Sequence, residues 1–262
     1  MKLVMLGTSG FHPTDEGQTA CYMLPELGIM LDAGSGLYRA SPYLQTASLD
    51  IYLTHAHSDH ILGLDYLVGA ILKKSFTESQ LHVSNENMQA LFQWTDEFVS
   101  RVRVHAAPST LIEVQQAFDG LAVQWCALEA EERLSGGGML TYFALEHTIA
   151  CVGFRLDWPG HSLAYVTDTV AKPDAPYIDH IKRVDLLLHD CYLPNRLAKI
   201  AEQTGHSHTA AVAQVAAAAQ VGRLILIHHN TLGLKIDGAE LESARAIFPS
   251  TEVGLDGMEV EF

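Results

Sequence analysis

The residues of this sequence best suited to chemistry are concentrated in residues 54–60, which read T-H-A-H-S-D-H. Imidazole nitrogens and carboxylate oxygens are ligands of zinc, iron, cobalt, nickel and manganese in proteins. A short apolar strand precedes this motif, so His55 and His57 leave its end with the two-residue spacing that lets both imidazoles face the same side. The spacing therefore predicts a pair of metal ligands at a strand end.

The second half of the motif is expected to enter a helix. Ser58 is a predicted N-cap, which places Asp59 and His60 in the first helical turn. The motif then supplies one pair of ligands on each side of a narrow gap. The alternative is a polar, histidine-rich helix start without a metal, but four potential ligands within six residues favour the metal site.

Side chains of metal-binding types also follow predicted strands later in the chain. Taken singly, a histidine at a strand end is more often structural, and an aspartate there could be a turn residue. His228 and His229 compete, because consecutive strand residues face opposite sides, and His228 directly follows the apolar strand. These residues and the strands they follow are His147 after residues 139–145, Asp168 after residues 162–166, and His228 and His229 after residues 223–227.

The elements that must position these residues are short strands that alternate with helices. Apolar spacing predicts a helix over residues 59–74, and an alanine-rich segment predicts another over residues 209–219. The strand pattern restarts after residue 131, and two blocks of strands predict two sheets packed face to face inside outer helices, in one α/β domain over residues 1–262. The other predicted elements are strands at residues 2–7, 20–24, 28–32, 50–54, 81–84, 152–156, 184–188, 252–255 and 258–262, and a helix at residues 87–99.

The composition narrows the class of protein. The chain has 262 residues, of which 48% are hydrophobic and 18% charged, as is typical of globular proteins. Its 31 acidic and 16 basic residues give a net charge of −15, which disfavours broad binding to nucleic acid or to an anionic membrane. No apolar run reaches the roughly 20 residues that a membrane span needs. Reduced thiols and a cytoplasmic location are predicted from four separated cysteines, Cys21, Cys126, Cys151 and Cys191.

Taken in order, the motifs resemble the metallo-β-lactamase superfamily, and in particular its branch containing tRNase Z and related phosphodiesterases. The opening residues 6–14, L-G-T-S-G-F-H-P-T, resemble the N-terminal loop of that branch, and residues 29–34 are similar to the hydrophobic-Asp-x-Gly element before the metal motif. The resemblance covers nearly the whole chain and implies a four-layer αββα sandwich. The later matching motifs lie at residues 145–147, 165–169 and 224–228.

The resemblance also implies a binuclear metal centre with two divalent ions that share a bridging hydroxide. Zinc is the first choice, with manganese or iron as alternatives. Such a centre hydrolyses phosphoryl or acyl bonds, because the metals lower the pKa of the shared water and polarise the attacked group. Asp59 is expected to be essential for turnover as well. One ion would be held by His55, His57 and His147, the other by Asp59, His60 and His228, with Asp168 as the bridge.

Two further segments imply a proton donor for the leaving group. Residues 186–190, L-L-L-H-D, resemble the His-Glu-Ala-Thr motif of tRNase Z, with Asp190 in place of the glutamate, and residues 205–209, G-H-S-H-T, resemble a helix-opening Gly-His segment of that branch. In the family the carboxylate orients a histidine that protonates the leaving oxygen. Asp190 would orient His206 or His208, and the alignment of the following alanines favours His206. The alternative is that both histidines only cap and solvate the helix start.

Four substrate classes share such a metal centre: β-lactams, thioesters and lactones, sulfate esters, and phosphodiesters. A phosphodiester is favoured, because its leaving alkoxide needs a proton and the sequence offers a donor. Only 20 residues separate His147 from Asp168, so the arm that grips tRNA in tRNase Z is missing, and the charge of −15 suits a polyanion poorly. The sequence therefore predicts a hydrolase of a small phosphodiester or nucleotide-like substrate.

Other functions stay as alternatives. A tRNase Z-type endoribonuclease would act on RNA, and an acyl, thioester or lactone hydrolase would use the same metals with little need of His206. A non-catalytic ligand sensor is disfavoured because all seven ligand positions are intact. No membrane partner is expected, and a homodimer, common in the resembling branch, stays open. His12, in the first loop, could line the site.

Overall fold

The computed structural model describes residues 1–79, 85–234 and 236–262. Its strands are short, and they alternate with helices as the sequence predicts. In chain order they are β1 (Lys2–Gly7), β2 (Cys21–Leu24), β3 (Ile29–Leu31), β4 (Leu49–Leu53), β5 (Val102–Ala106), β6 (Gln124–Ala127), β7 (Glu131–Leu134), β8 (Gly138–Leu145), β9 (Cys151–Trp158), β10 (His161–Val166), β11 (Leu186–Asp190), β12 (Arg223–Ile227), β13 (Thr251–Val253) and β14 (Glu259–Glu261).

The helices lie between these strands, and short 3-10 turns lead into several of them. The α-helices are α1 (Ser58–Ile61), α2 (Leu67–Ser79), α3 (Asn85–Val99), α4 (Pro108–Ala117), α5 (Ile178–Ile181), α6 (Ala198–Gln203), α7 (Thr209–Ala219) and α8 (Gly238–Ile247). The 3-10 turns are Ser35–Arg39, Ser41–Tyr43, Leu62–Tyr66, Ser135–Gly137 and Asn195–Leu197.

The strands form two mixed sheets of seven. Their orders are β14-β1-β2-β3-β4-β5-β6 and β13-β12-β11-β10-β9-β8-β7. Each sheet is antiparallel at one side and parallel at the other, with β3 to β6 parallel in the first and β10 to β13 parallel in the second. Parallel strands end at the same edge of their sheet, so the residues after β10 and β12 come together at one edge of the second sheet, and those after β4 lie at the facing edge of the first.

The two sheets pack face to face, and helices cover their outer faces. Successive side chains of β1 face opposite sides of the first sheet. Leu3 and Met5 belong to the core between the sheets, whereas Val4 and Leu6 belong to the core under the helices of the first sheet. The second sheet packs its outer face on α7 through Val212 and its neighbours. The four-layer αββα sandwich predicted from the sequence is confirmed.

The predicted continuous helix over residues 59–74 is wrong, because α1 and α2 are separated by the 3-10 turn Leu62–Tyr66. The backbone explains the break. The Gly63 amide donates to the carbonyl of Ala33 at 2.7 Å, so it makes no bond to the preceding helical turn. A tertiary contact to the segment after β3 therefore replaces helical hydrogen bonds that the apolar spacing favours.

Several element boundaries differ from the sequence predictions. The strand expected at residues 184–188 is β11, which continues through Asp190 because that residue pairs with Ile227 of β12. The elements β5, α4, β6 and β7 were not predicted. Of these, β6 is an edge strand without a buried residue, so it lacks an apolar pattern to detect. The strand predicted at residues 81–84 lies outside the described residues.

The sequence predicts reduced thiols and contains no apolar run long enough for a membrane span. All four cysteines are free thiols, and Cys21, Cys151 and Cys191 are buried. Over the ranges that the structure describes, the helices are too short or too polar to cross a bilayer.

Candidate metal centre

The T-H-A-H-S-D-H motif lies where β4 ends and α1 begins. His57 occupies the N-cap position with extended backbone angles (φ −66°, ψ 145°), and no side chain caps the helix. The predicted N-cap at Ser58 is therefore wrong by one residue, and Ser58 is the first helical residue. Asp59 and His60 still fall in the first turn, both buried.

The first group of ligand atoms converges from two sheets. His57 Nδ1 lies 3.0 Å from His55 Nε2 and 3.2 Å from His147 Nε2. Asp168, which follows β10, places Oδ2 3.6 Å from His55 Nε2 and 3.5 Å from His147 Nε2. Three ring nitrogens and one carboxylate oxygen thus surround a common point.

The second group adjoins the first. His228 Nε2 lies 3.2 Å from His60 Nε2 and 3.2 Å from Asp59 Oδ2. Asp168 Oδ1 lies 3.3 Å from His60 Nε2 and 3.1 Å from His228 Nε2. Asp168 therefore presents one oxygen to each group, as a bridging ligand would.

The donor set fits two divalent cations. Within each group all ligand atoms lie within 4.8 Å of one another. Ring nitrogen faces ring nitrogen at 3.0–3.2 Å in both groups, so the imidazoles of each group converge on one space. Imidazole and carboxylate ligands of this kind bind zinc, iron or manganese. The structure thus brings all seven predicted ligands into two adjoining groups.

Buried partners orient the ligands from behind, which is the usual support of a metal-binding histidine. Asp32 Oδ2 accepts from His60 Nδ1 at 2.7 Å and from the Tyr165 hydroxyl at 2.6 Å. Asp32 also accepts from the amide and hydroxyl of Thr54. In the other group, His147 Nδ1 donates to the carbonyl of Gly205 at 2.9 Å. These bonds fix which ring nitrogen faces the centre.

Charges within the second group shift pKa values in opposite directions. Burial alone would lower the pKa of His60, but the carboxylates of Asp168 and Asp59 raise it to about 10. Burial alone would raise the pKa of Asp59, but the imidazoles of His60 and His228 hold it below its usual range. The same imidazoles depress the pKa of buried Asp168. The opposite shifts reflect the attraction between the carboxylates and the imidazoles of this group.

In the first group the pKa values of the histidines shift in the other direction from that of His60. Burial is the largest influence on its histidines, and it lowers the pKa of His55, His57 and His147. Neutral imidazole is the metal-binding form, so these three side chains present lone pairs at neutral pH.

The predicted proton donor lies beside the second group. His206 Nδ1 lies 3.3 Å from Asp190 Oδ2, and that oxygen also accepts from the amide of Ser207 at 3.0 Å. Asp190 Oδ1 in turn lies 3.6 Å from His228 Nδ1. The aspartate, although shorter than the glutamate of the resembling motif, reaches the histidine from the last residue of β11.

His208, His229 and His12 lie apart from the cluster. His208 is the N-cap residue of α7, and its Nδ1 contacts Asn195 Oδ1 at 2.9 Å. His229 Nε2 donates to the carbonyl of Gly254 at 2.9 Å. His12 donates to the neighbouring Pro13 carbonyl instead of lining the cleft. The structure thus brings His206 to Asp190 and His228 to the centre, in line with the preferred alternatives.

A cleft of about 300 Å³ opens over both groups. Two aromatic residues that sequence reasoning did not single out line it. The Tyr192 ring packs on His206 with a centroid separation of 4.5 Å, and Phe11 donates its amide to Asp59 Oδ2 at 2.7 Å. Two features of the sequence could have identified them. Both residues are aromatic, and Tyr192 follows Asp190 by two residues whereas Phe11 lies in the first loop.

Comparison with known proteins identifies the family to which the chain belongs. The beta-lactamase superfamily domain matches residues 28–229, which contain the seven ligand positions. The ribonuclease Z of Metallosphaera sedula is 27% identical, with 98% of this chain and 97% of the relative covered. The ribonuclease BN of Citrobacter koseri is 25% identical, with 98% of each covered.

Solved structures share the fold over their whole length. The metallo-beta-lactamase fold protein YhfI from Bacillus subtilis superposes with a TM-score of 0.78 at 18% identity, covering 99% of both chains. Human tRNase Z, short form, gives a TM-score of 0.70 at 17% identity and covers 100% of this chain and 99% of its own. A diphosphatase from the PhnP family gives 0.68 at 18% identity, with 100% and 97% covered.

Proposed function

Because this chain belongs to the metallo-β-lactamase superfamily, in its tRNase Z-like branch, we propose that it hydrolyses a small phosphodiester at a binuclear metal centre. Its family makes it a metal-dependent hydrolase, and the proposal concerns the substrate and the roles of the residues. The observation that carries the proposal is the contact of His206 with Asp190, directly beside the second group of ligands.

The seven ligands would hold two divalent ions, with Asp168 between them. When bound, the ions would supply activation of water and Lewis-acid polarisation of a phosphoryl oxygen. The chain itself fixes the geometry, because His60 is held by Asp32 and His147 by the Gly205 carbonyl. Zinc is our first choice of metal, with manganese or iron as alternatives.

His206 would protonate the leaving oxygen. Its Nδ1 is engaged by Asp190, and the Tyr192 ring packs against it, so its orientation is fixed and Nε2 is left for the substrate. A phosphodiester's alkoxide is a poor leaving group without a proton, whereas the thiolate of a thioester needs none. The His206–Asp190 pair therefore supports phosphodiester over thioester hydrolysis.

The cleft supports a small substrate. A volume of about 300 Å³ is at the lower end for small-molecule sites. Between His147 and Asp168 the chain forms the paired strands β9 and β10, whose connection is a tight turn at Gly160. No arm protrudes from this part of the described chain to hold a macromolecule.

A tRNase Z-type endoribonuclease is the second candidate, because the relatives named ribonuclease Z and ribonuclease BN align over 98% of this chain. Cleavage of pre-tRNA would use the same ligands and the same proton donor. The net charge of −15 argues against it. A direct comparison of pre-tRNA with small diesters decides between the two.

The first experiment combines metal analysis with hydrolysis of bis(p-nitrophenyl) phosphate. We expect about two metals per chain and activity that is lost on chelation and restored by metal. Asp59→Ala should abolish turnover and leave the fold intact, because it removes one ligand at the edge of the cleft. Asp65→Ala, an exposed aspartate on the neighbouring 3-10 turn, is the matched control and should be fully active.

The other outcomes separate the alternatives. Near-normal activity of Asp59→Ala would show that the ligand assignment is wrong. Two metals without diesterase activity, together with turnover of a lactone or thioester, would favour the acyl hydrolase. A protein without metal or activity would leave only the ligand-sensing role.

A further inference from the structure

An aromatic ring stands exposed at the mouth of the cleft. Phe11 lies in the loop between β1 and β2, and 58% of its surface is accessible although it lines the same cavity as His57, Asp59 and His206. Burial in the protein core therefore does not account for a phenyl group at this position.

The backbone that presents this ring is fixed. The Phe11 amide donates to Asp59 Oδ2 at 2.7 Å, and the preceding Gly10 amide donates to the carbonyl of His229 at 3.0 Å. The ring of His12 packs beside the Phe11 ring with a centroid separation of 5.0 Å. The phenyl group is thus held beside the ligand cluster by rigid neighbours.

Phe11 also has a strained backbone, with φ at +71°. This left-handed conformation is unfavourable for a residue with a bulky side chain, and glycine would adopt it without strain. Backbone strain of this kind concentrates at functional sites. The strained backbone and the exposed ring together indicate that Phe11 serves to contact a ligand and not to stabilise the fold.

We propose that Phe11 is a stacking platform for the nucleobase of a nucleotide diester whose phosphate lies among the metal ligands. The inference rests on the proposed phosphodiesterase function and names its substrate class. Bases stack on exposed aromatic faces without regard to sequence. Tyr192, which also lines the cleft, is only partly exposed and packs on both His206 and His228, so Phe11 offers the more accessible ring.

Two substrates with the same leaving group separate the effect of base stacking from the effect of the leaving group. Thymidine 5′-(p-nitrophenyl phosphate) and methyl p-nitrophenyl phosphate both release p-nitrophenolate, and only the first carries a base. In metal-loaded Phe11→Ala, the ratio of kcat/KM for the thymidine substrate to that for the methyl substrate should fall about 10-fold, mainly through KM. Phe11→Tyr should restore the ratio, and Phe11→Leu should not.

Phe92→Ala is the matched control, since Phe92 is 50% exposed on α3 and does not line the cleft; it should leave the ratio unchanged. An unchanged ratio in Phe11→Ala would overturn the platform. Wild-type protein that hydrolyses neither substrate would contradict the proposed function instead. In that case, binding of thymidine 5′-monophosphate to metal-loaded protein decides: about 10-fold weaker binding by Phe11→Ala supports the platform, and equal binding overturns it.

Discussion

At the scale of single residues, one carboxylate supports both groups of ligands. Asp32 is fully buried and accepts from His60 Nδ1 directly. It also accepts from the Thr54 hydroxyl, whose oxygen lies 3.0 Å from His55 Nδ1. His60 belongs to one group and His55 to the other, so a single anion orients a side chain of each group.

Asp32→Asn should therefore weaken both metals together. The amide nitrogen would face a donor in either orientation: the Thr54 backbone amide at the place of Oδ1, or His60 Nδ1 and the Tyr165 hydroxyl at the place of Oδ2. Loss of such an outer partner typically costs 10–100-fold in metal affinity. We expect a loss of about 10-fold or more at both sites, measured by competition with a chelator.

Asp50→Asn is the control for that experiment. Asp50 is also a buried acceptor on the first sheet, where it binds His105 and Arg103 away from the cleft. Its loss should lower stability without changing metal affinity. Weakening of one metal alone by Asp32→Asn would contradict the shared role.

His206→Ala should slow hydrolysis according to the leaving group. A diester with an alkyl leaving group should lose about 100-fold or more in kcat, because general acid catalysis contributes that much. Bis(p-nitrophenyl) phosphate should change little, since its phenolate leaves without a proton. His208→Ala, whose side chain binds Asn195 instead, should be close to wild type on both substrates. Equal losses on both substrates in His206→Ala would exclude the acid role.

At the scale of elements, the first loop and the end of β12 fit together at the metal centre. His228 directly follows β12 and has φ at +60°, a turn that directs its ring toward the ligands. Gly10 lies against this ring, and a Cβ added there would be 2.3 Å from His228 Cε1. The loop that carries Phe11 therefore approaches the ligand as closely as glycine allows.

Gly10→Ala should displace the His228 ring, because the clash is with a buried side chain that has little room to move. A misplacement of about 1 Å at a reacting centre can cost 100-fold in rate. We expect a loss of that order in kcat and fewer than two metals per chain by elemental analysis. Gly69→Ala, on the exposed side of α2 with nothing within 4 Å of the added Cβ, should keep full activity. A Gly10→Ala protein with wild-type kcat would show that His228 tolerates the shift.

At the scale of the whole molecule, the metal centre joins the two sheets. Asp59 and His60 follow β4 of the first sheet, whereas Asp168 and His228 follow β10 and β12 of the second. The three hydrophobic cores, one between the sheets and one under each helical layer, are complete without a metal. Metal binding should therefore stabilise a chain that folds on its own.

Chelation should leave the protein folded but lower its Tm by about 20 °C. Each of two ions at 1,000 times its Kd contributes about 4 kcal/mol, and for a chain of this size each kcal/mol shifts Tm by roughly 2–4 °C. Thermal unfolding followed by circular dichroism, with and without metal, measures the difference. An apoprotein that lacks a cooperative transition would show that the metals are needed for folding.

The sequence by itself determined the ligand motif and the layered fold. Residues 54–60 combine strand-end spacing with a helix start, and both properties are local, so they can be read without tertiary information. The family and the four-layer sandwich predicted from these motifs are confirmed. Elements without a buried apolar pattern, such as the edge strand β6, escaped prediction because hydrophobic spacing carries no signal there.

Only the tertiary structure decided which distant residues meet. Asp190 contacts His206 whereas His208 is bound by Asn195, and His228 rather than His229 turns inward at its positive φ. The exposed ring of Phe11 is likewise set by contacts with Asp59 and His229. Local patterns limit the candidates, but these choices depend on backbone pairing between segments far apart in the chain, which single-residue properties do not encode.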